Sequence, residues 1–510
     1  MFFSTKHANE YIQANKHGVN ENYKPSYHFT AEIGWINDPN GCSFYGGQYH
    51  LFYQYHPYSS KNGSMHWGHA VSNDLVEWSH LPVALAPDQA YDINGCFSGS
   101  AIEDNGKHVI MYTGHVQPNS GDHSLTRQTQ CIAIGDGLEY IKIAENPVLT
   151  SEHLPDGFSI QDFRDPKLWK DGNHYYAVIG SRAEEGVGQI LLYRSTDLKE
   201  WVYVGVLLKG NPILGHMWEC PDFFQLDDKH VLIISPQGVE RDGYKHHNRD
   251  SVVYMVGNFD NANGKFEPTS YDELDYGFDF YAPQSLIDDK GRRILIGWMQ
   301  SWGRSIPVDD LDHGWSGMMT LPRELRVEGQ QITQHPISEI ESYRRNHVHI
   351  RTALRGQRRI EGVEGVQLEL MVTFKPKDAS RFGLKVRQGE GEETLLFYDI
   401  DEGVFTLDRS SSGLGISTPP EEEGVNGRRS VPVALRDGVL SLRVFLDRSS
   451  VEVFIDGGVR TMSATIYPSS SSAGIMFESV GESELVVDKW DLEREYINGL
   501  GLGERDLIND

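Results

Sequence analysis

Asp38 stands immediately before Pro39, Asp165 immediately before Pro166, and Glu219 two residues before Pro221. Three acids at a recurring place beside proline have a limited range of uses. With no His/Cys ligand pattern nearby, a carboxylate pair that cleaves a glycosidic bond fits better than a transition-metal site. Crowded carboxylates push one pKa upward, which supplies a protonated general acid beside an ionised nucleophile. The surroundings suit a sugar. Trp35, Trp67, Phe97, Trp218, Tyr281 and Trp298 offer flat apolar surfaces, while Asn37, Gln54, Ser98 and Arg164 can bond hydroxyls. Proline restricts the residue before it to extended backbone, so each of these strand starts is expected to be stiff. A single Asp-Pro reads as an ordinary turn; three acids in matching places do not.

Other reactive residues carry less. His66 and His69 bracket Trp67 with no third ligand in reach, which reads as local hydrogen bonding; no metal and no cofactor are expected. The serines, Ser43 included, show no GxSxG nucleophile elbow. Cys220, between Glu219 and Pro221, reads as a thiol packed behind the acid. The run Glu421-Glu422-Glu423 reads as solvated loop.

Such acids must be brought together by a repeated scaffold, and the chain has one. From about residue 27, short apolar runs alternate with polar turns, as in Tyr45-Gly46-Gly47-Gln48 before Tyr49–Tyr55 and Asp104-Asn105-Gly106-Lys107 before Val109–Tyr112. Before each such hairpin lies a similar element: Asp38-Pro39-Asn40, Phe97-Ser98-Gly99, Asp165-Pro166-Lys167, Cys220-Pro221-Asp222 and Ala282-Pro283-Gln284. These recur roughly 60 residues apart, room for four strands each. A second echo pairs Ser72-Asn73-Asp74-Leu75-Val76-Glu77-Trp78 with Ser195-Thr196-Asp197-Leu198-Lys199-Glu200-Trp201. Five units of this size predict a five-bladed β-propeller over 27–330, with the three acids converging on its channel from blades one, three and four. Residues 1–26 read as a helical extension, through Phe3, Ala8, Tyr11 and Ile12. After a connector at 331–350, strict alternation (Leu440, Leu442, Val444, Leu446, then Val451, Val453, Ile455) predicts half-buried hairpins and a β-sandwich over 351–495. The fold class is all-β, with a glycine-containing tail at 496–510.

Composition narrows the partners. The 510 residues hold 46 Lys and Arg against 73 Asp and Glu, a formal charge of −27. Nucleic acid and anionic membranes both need a basic face, so neither is the expected partner. No apolar stretch is long enough to span a membrane and the N-terminus lacks a secretory apolar core. Four scattered cysteines read as free thiols in a reducing compartment, so a cytoplasmic location is expected. The expected partner is a small sugar substrate; sandwich and tail surfaces are candidates for pairing subunits.

Trp35-Ile36-Asn37-Asp38-Pro39-Asn40-Gly41, Phe163-Arg164-Asp165-Pro166 and Trp218-Glu219-Cys220-Pro221-Asp222 resemble the three hallmark motifs of glycoside hydrolase family 32. Phe52-Tyr53-Gln54, Trp67-Gly68-His69, Phe97-Ser98-Gly99-Ser100, Tyr281-Ala282-Pro283-Gln284 and the C-terminal Leu446–Phe454 are similar to its secondary motifs, in order. The resemblance implies a propeller followed by a sandwich, and a retaining β-fructofuranosidase acting on sucrose, sucrose-6-phosphate or short fructo-oligosaccharides. It implies Asp38 as nucleophile, Glu219 as acid/base, and Asp165 with Arg164 stabilising the transition state. Asn37, Gln54, Trp67, Phe97, Ser98, Tyr281 and Trp298 would bind substrate. The alternatives are an exo-inulinase or levanase, a fructosyltransferase and, without catalysis, a fructan-binding lectin. One departure stands out: Asn62 occupies a stretch where family members often carry an aromatic.

Overall fold

The computed structural model describes residues 3–118 and 122–493. Five antiparallel sheets of the propeller are led by the strands Gly34–Tyr45, Gly95–Asp104, Phe163–Asp171, Met217–Leu226 and Tyr281–Ile287. These innermost strands touch one another in ring order, and the fifth touches the first. The ring is closed by Trp315–Ser316, which leaves blade five to pair in parallel with the start of blade one, Gly34 opposite Trp315. All-β architecture and five blades are as the repeats predict.

The second echo has a physical basis. Ser72 Oγ accepts from the amides of Asp74 and Leu75, Asp74 Oδ1 accepts from Val76 and Glu77, and Trp78 Nε1 donates to the Leu75 carbonyl. Ser195, Asp197, Leu198 and Trp201 repeat every one of these bonds. Side chains that cap their own backbone make such a turn self-contained.

The helix Thr5–Asn15 starts at Ser4, whose Oγ accepts from His7 N, and buries Ala8 and Ile12 against blade one. The expected connector at 331–350 needs correction. Gln331–Pro336 is the outer strand of blade five, and Arg344–Arg358 already belongs to the sandwich. The Gly329-Gln330 turn between two short alternating runs makes one more hairpin there. The tail at 496–510 lies outside the described residues.

In the sandwich, the 19-residue strand Gly474–Leu492 pairs with Arg381–Gln388 along its first part and with Leu368–Pro376 along its second. Its register breaks around Gly481, where φ is +97°. An added Cβ there would stand 2.5 Å from the Asp378 carbonyl, so only glycine fits the bend. Both layers thereby share one strand and enclose one core, with Leu370, Leu384, Phe405 and Val453 inside.

The hairpin Leu440–Asp447 and Ser450–Ile455 has the expected register, but its other face is not solvated. Phe445 and Phe454 pack into a core shared with the propeller. Between them lies a buried ionic network. Asp447 accepts from the amides of Ser26, Tyr27 and His28, and its Oδ2 lies 3.0 Å from His28 Nδ1. His28 Nε2 meets Glu452 at 2.9 Å, and Arg323 binds both Glu452 and Asp275. A second network corrects the reading of Glu422 as solvated: it is 1% exposed and accepts from Arg304 and Arg429, while Asp279 accepts from Arg304 and Arg409. A carboxylate that loses its water needs such partners. Glu421 and Glu423 stay exposed.

Burial opposes charge on His28, yet its hydrogen bonds to Asp447 and Glu452 outweigh it and raise the pKa to about 9. A pKa raised by folding contributes stability that is complete below the unfolded value, about 6.5, and lost as pH rises through the folded one. Thermal melts should therefore show stability falling between about pH 6.5 and 9. His28→Gln should melt lower at pH 6.5 and lack that fall.

Candidate active site

Every innermost strand carries a register break at the same level. It falls between Ile36 and Pro39, Phe97 and Gly99, Arg164 and Lys167, Glu219 and Asp222, and Tyr281 and Gln284. Bulges leave residues unpaired and re-aim their side chains. The residues skipped by the pairing include Asn37 and Asp38 in blade one, Ser98 in blade two, Asp165 in blade three, Cys220 in blade four and Ala282 in blade five. The expectation of extended backbone before proline fails at three of these: Asp165, Cys220 and Ala282 have φ of 65°, 47° and 47°. A following proline disfavours the right-handed helical region, and the bulge supplies the left-handed alternative.

This geometry also corrects the equivalence of the acids. Cys220, not Glu219, is the blade-four counterpart of Asp165, each being the left-handed residue before a proline. Glu219 matches Arg164, and the two meet directly: Arg164 Nε donates to Glu219 Oε1 at 3.0 Å. Glu219 Oε2 accepts from Gln237 Nε2 at 2.9 Å and Tyr281 Oη at 2.7 Å. Next to it, Trp218 is locked. Its Nε1 donates to the Leu214 carbonyl, and Gly188 lies so close that a Cβ would be 2.3 Å from its ring.

Asp38 accepts from Asn37 Nδ2 at 3.0 Å and from Ser98 Oγ at 2.7 Å. The Cys220 thiol lies 3.5 Å from Asp38 and 3.6 Å from Asp165, between the two carboxylates rather than merely behind Glu219. Burial and the surrounding acids push this thiol well up, so it stays protonated and donates. Asp165 Oδ2 also accepts from the Cys220 amide at 3.0 Å. Burial first, and the charge of Glu219 second, raise Asp38 to about 6. Asp165 is raised for the same reasons, with Arg164, 4.0 Å away, opposing the shift.

The cavity over these groups holds about 450 Å³ and is lined by Asn37, Asp38, Gln54, Phe97, Ser98, Arg164, Asp165 and Glu219. Eight of the eleven residues to which the resemblance gives a site role thus line one space. Trp67, Tyr281 and Trp298 do not; all three are fully buried behind the wall. Trp67 Nε1 donates to the Phe97 carbonyl, Tyr281 holds Glu219, and Trp298 supports Trp302 at a ring separation of 5.0 Å. Trp302, His115 and Gln117 line the cavity without having been singled out. No repeat marks them, since they come from segments beyond the inner strands. Trp35 and Trp218 are likewise buried rather than offered to a sugar. Asn62 does line the cavity.

A second cavity of about 680 Å³ adjoins the first, sharing Phe97, His115, Gln117, Arg164 and Glu219 with it. His66 and His69 are taken up locally, by the Ser64 carbonyl and by His50. Among the described residues no group of three or more His, Cys, Asp or Glu could hold a metal ion. No helix among them is long and apolar enough to cross a membrane.

Residues 28–336 match the family described as "Glycosyl hydrolases family 32 N-terminal domain", and 339–491 match "Glycosyl hydrolases family 32 C terminal". The chain belongs to glycoside hydrolase family 32. It is therefore a glycosidase. A sucrose-6-phosphate hydrolase of Escherichia coli is 39% identical over 470 residues, which cover 91% of this chain and 94% of that one. A raffinose invertase of the same organism is also 39% identical, over 471 residues with the same coverage. Among solved structures, a Bombyx mori β-fructofuranosidase variant in complex with sucrose is 35% identical, with a TM-score of 0.82 over 96% of this chain and 98% of its own. The Lactobacillus gasseri sucrose-6-phosphate hydrolase is 27% identical with a TM-score of 0.84, over 96% and 99%.

With Asp38 raised to about 6, the nucleophile role that the family resemblance implies for it predicts that kcat/KM in a sucrose-hydrolysis assay rises with pH through about 6, well above an ordinary aspartate. The raised pKa also means that stability present below the unfolded value, about 3.9, is lost as pH rises through the folded one. Asp38→Asn removes that loss and should melt higher than the parent at pH 8.

Proposed function

We propose that this glycosidase releases terminal β-D-fructofuranosyl units from sucrose-type substrates with retention of configuration. Asp38 is the nucleophile, Glu219 the acid/base, and Asp165 with Arg164 the stabilising pair. The observation that carries this reading is the division of labour between the cavities: Asp38 lines only the first, whereas Glu219 lines both. The reacting carbon then lies in the first cavity, over Asp38. The bridging oxygen lies at the seam, beside Glu219, with the leaving sugar in the second cavity.

In the first step an Asp38 oxygen bonds to the anomeric carbon while the bond from that carbon to the leaving oxygen breaks. The proton on Glu219 passes to that oxygen, and the leaving sugar departs as an alcohol. In the second step water enters, Glu219 takes its proton, and the water oxygen displaces Asp38 from the anomeric carbon. Positive charge builds on the sugar ring in both steps, next to Asp165. Arg164, bound to Glu219 and Asp162, holds the acid/base in place. Sequence similarity to sucrose-6-phosphate hydrolases and an invertase supports the fructosyl substrate. A cytoplasmic setting is supported by the four buried, unpaired cysteines.

Glu219→Gln should lower kcat for sucrose by roughly 10²–10⁴-fold, the usual worth of a general acid. Asp38→Asn should abolish fructose release while leaving the circular dichroism spectrum unchanged. Substantial turnover by the folded Asp38→Asn protein would assign the nucleophile elsewhere.

A further inference from the structure

The second cavity has a charge pattern that bears on which leaving group it accepts. Its described lining carries two permanent cations, Arg164 and Arg182, and both are committed. Arg164 Nη1 donates to Asp162 Oδ1 at 2.8 Å, and the same guanidinium holds Glu219. Arg182 Nε meets Asp162 Oδ2 at 2.8 Å. Burial works against charge on Asp162, but the two guanidinium groups outweigh it and keep its carboxyl below the usual range. The side chain of Asp162 is itself 19% exposed in the cavity wall.

The two cations are thus matched on this wall by two carboxylates, Asp162 and Glu219. His115, stacked on Phe97 with ring centres 4.1 Å apart, forms the seam between the cavities. Burial and the nearby Arg164 depress its pKa to about 4, so it is a neutral group at physiological pH. Two further imidazoles, His123 and His216, belong to the described lining, and the rest of it is hydrogen-bonding without charge, such as Gln117, Thr126, Gln128 and Gln161. Such a wall matches sugar hydroxyls, which need donors and acceptors but no counter-charge. A phosphate dianion would lose water and meet two carboxylates with no uncommitted guanidinium or ammonium group in the described lining to offset them.

We propose that the leaving-group cavity selects neutral glycosyl groups, and that Asp162 is the specificity-determining residue, because it occupies both guanidinium groups that a phosphorylated sugar would otherwise bind. Rejection of the phosphate then rests on repulsion and missing partners rather than on size. This inference rests on the fructosyl-releasing reading above and places sucrose ahead of sucrose-6-phosphate.

The test compares kcat/KM for sucrose and sucrose-6-phosphate with the intact protein at pH 7 and fixed ionic strength. Sucrose should be favoured about tenfold or more. Equal or better cleavage of sucrose-6-phosphate, with sucrose still cleaved, overturns the inference and leaves the fructosyl reading standing. Cleavage of neither substrate overturns both. His216 lies exposed on the same wall, so His216→Arg adds an uncommitted cation without disturbing a core. The ratio of the two kcat/KM values should move toward sucrose-6-phosphate by about threefold or more, and salt should reduce that shift. An unchanged ratio in the folded variant overturns the charge argument.

Discussion

One buried guanidinium stands among the acids of this site, and the arrangement depends on it. Arg164 bonds Glu219 and Asp162 and lies 4.0 Å from Asp165. Burial opposes its charge, but the surrounding carboxylates raise its pKa further, so it remains a cation. A desolvated carboxylate without a counter-charge shifts toward its neutral form. Asp38, which receives hydrogen bonds but no guanidinium, shows that shift most simply. Three acids, Asp38, Asp165 and Glu219, can thus share one small cavity, because their partners differ.

The propeller supplies those partners by repetition with variation. Each inner strand bulges at the same level, and each bulge presents a different residue: Asp38, Ser98, Asp165, Cys220 or Ala282. Further along the strands, Lys167 pairs with Asp222 at 3.0 Å and donates to the Ser285 carbonyl, tying blades three, four and five together. The walls of the site are therefore fixed by contacts between blades.

No described residue of the sandwich lines either cavity, yet the sandwich is joined to the propeller through charges with almost no exposure to water. His28, Asp447, Glu452 and Arg323 form one junction; Asp279, Glu422, Arg304 and Arg409 form another. Such pairs are costly to break, because each broken pair leaves an uncompensated buried charge. They also specify orientation, since the hydrogen bonds are directional in a way that apolar contacts such as Phe445 and Phe454 are not.

The amino-acid sequence by itself determined the five repeats, the alternating strands of the sandwich and the identity of the three acids. These are local properties: hydrophobic period, turn chemistry and an acid near proline can be read within a few residues. The tertiary structure decided what those residues face. Cys220 bridges two carboxylates and Glu219 matches Arg164 because bulges in neighbouring strands set the orientation of each side chain. Trp67, Tyr281 and Trp298 back the cavity while Trp302 and His115 line it, since an aromatic residue carries the same local signal whether it touches a sugar or the side chain behind it. Glu422 is buried because arginines distant in sequence meet it, a fact that no window around residue 422 contains.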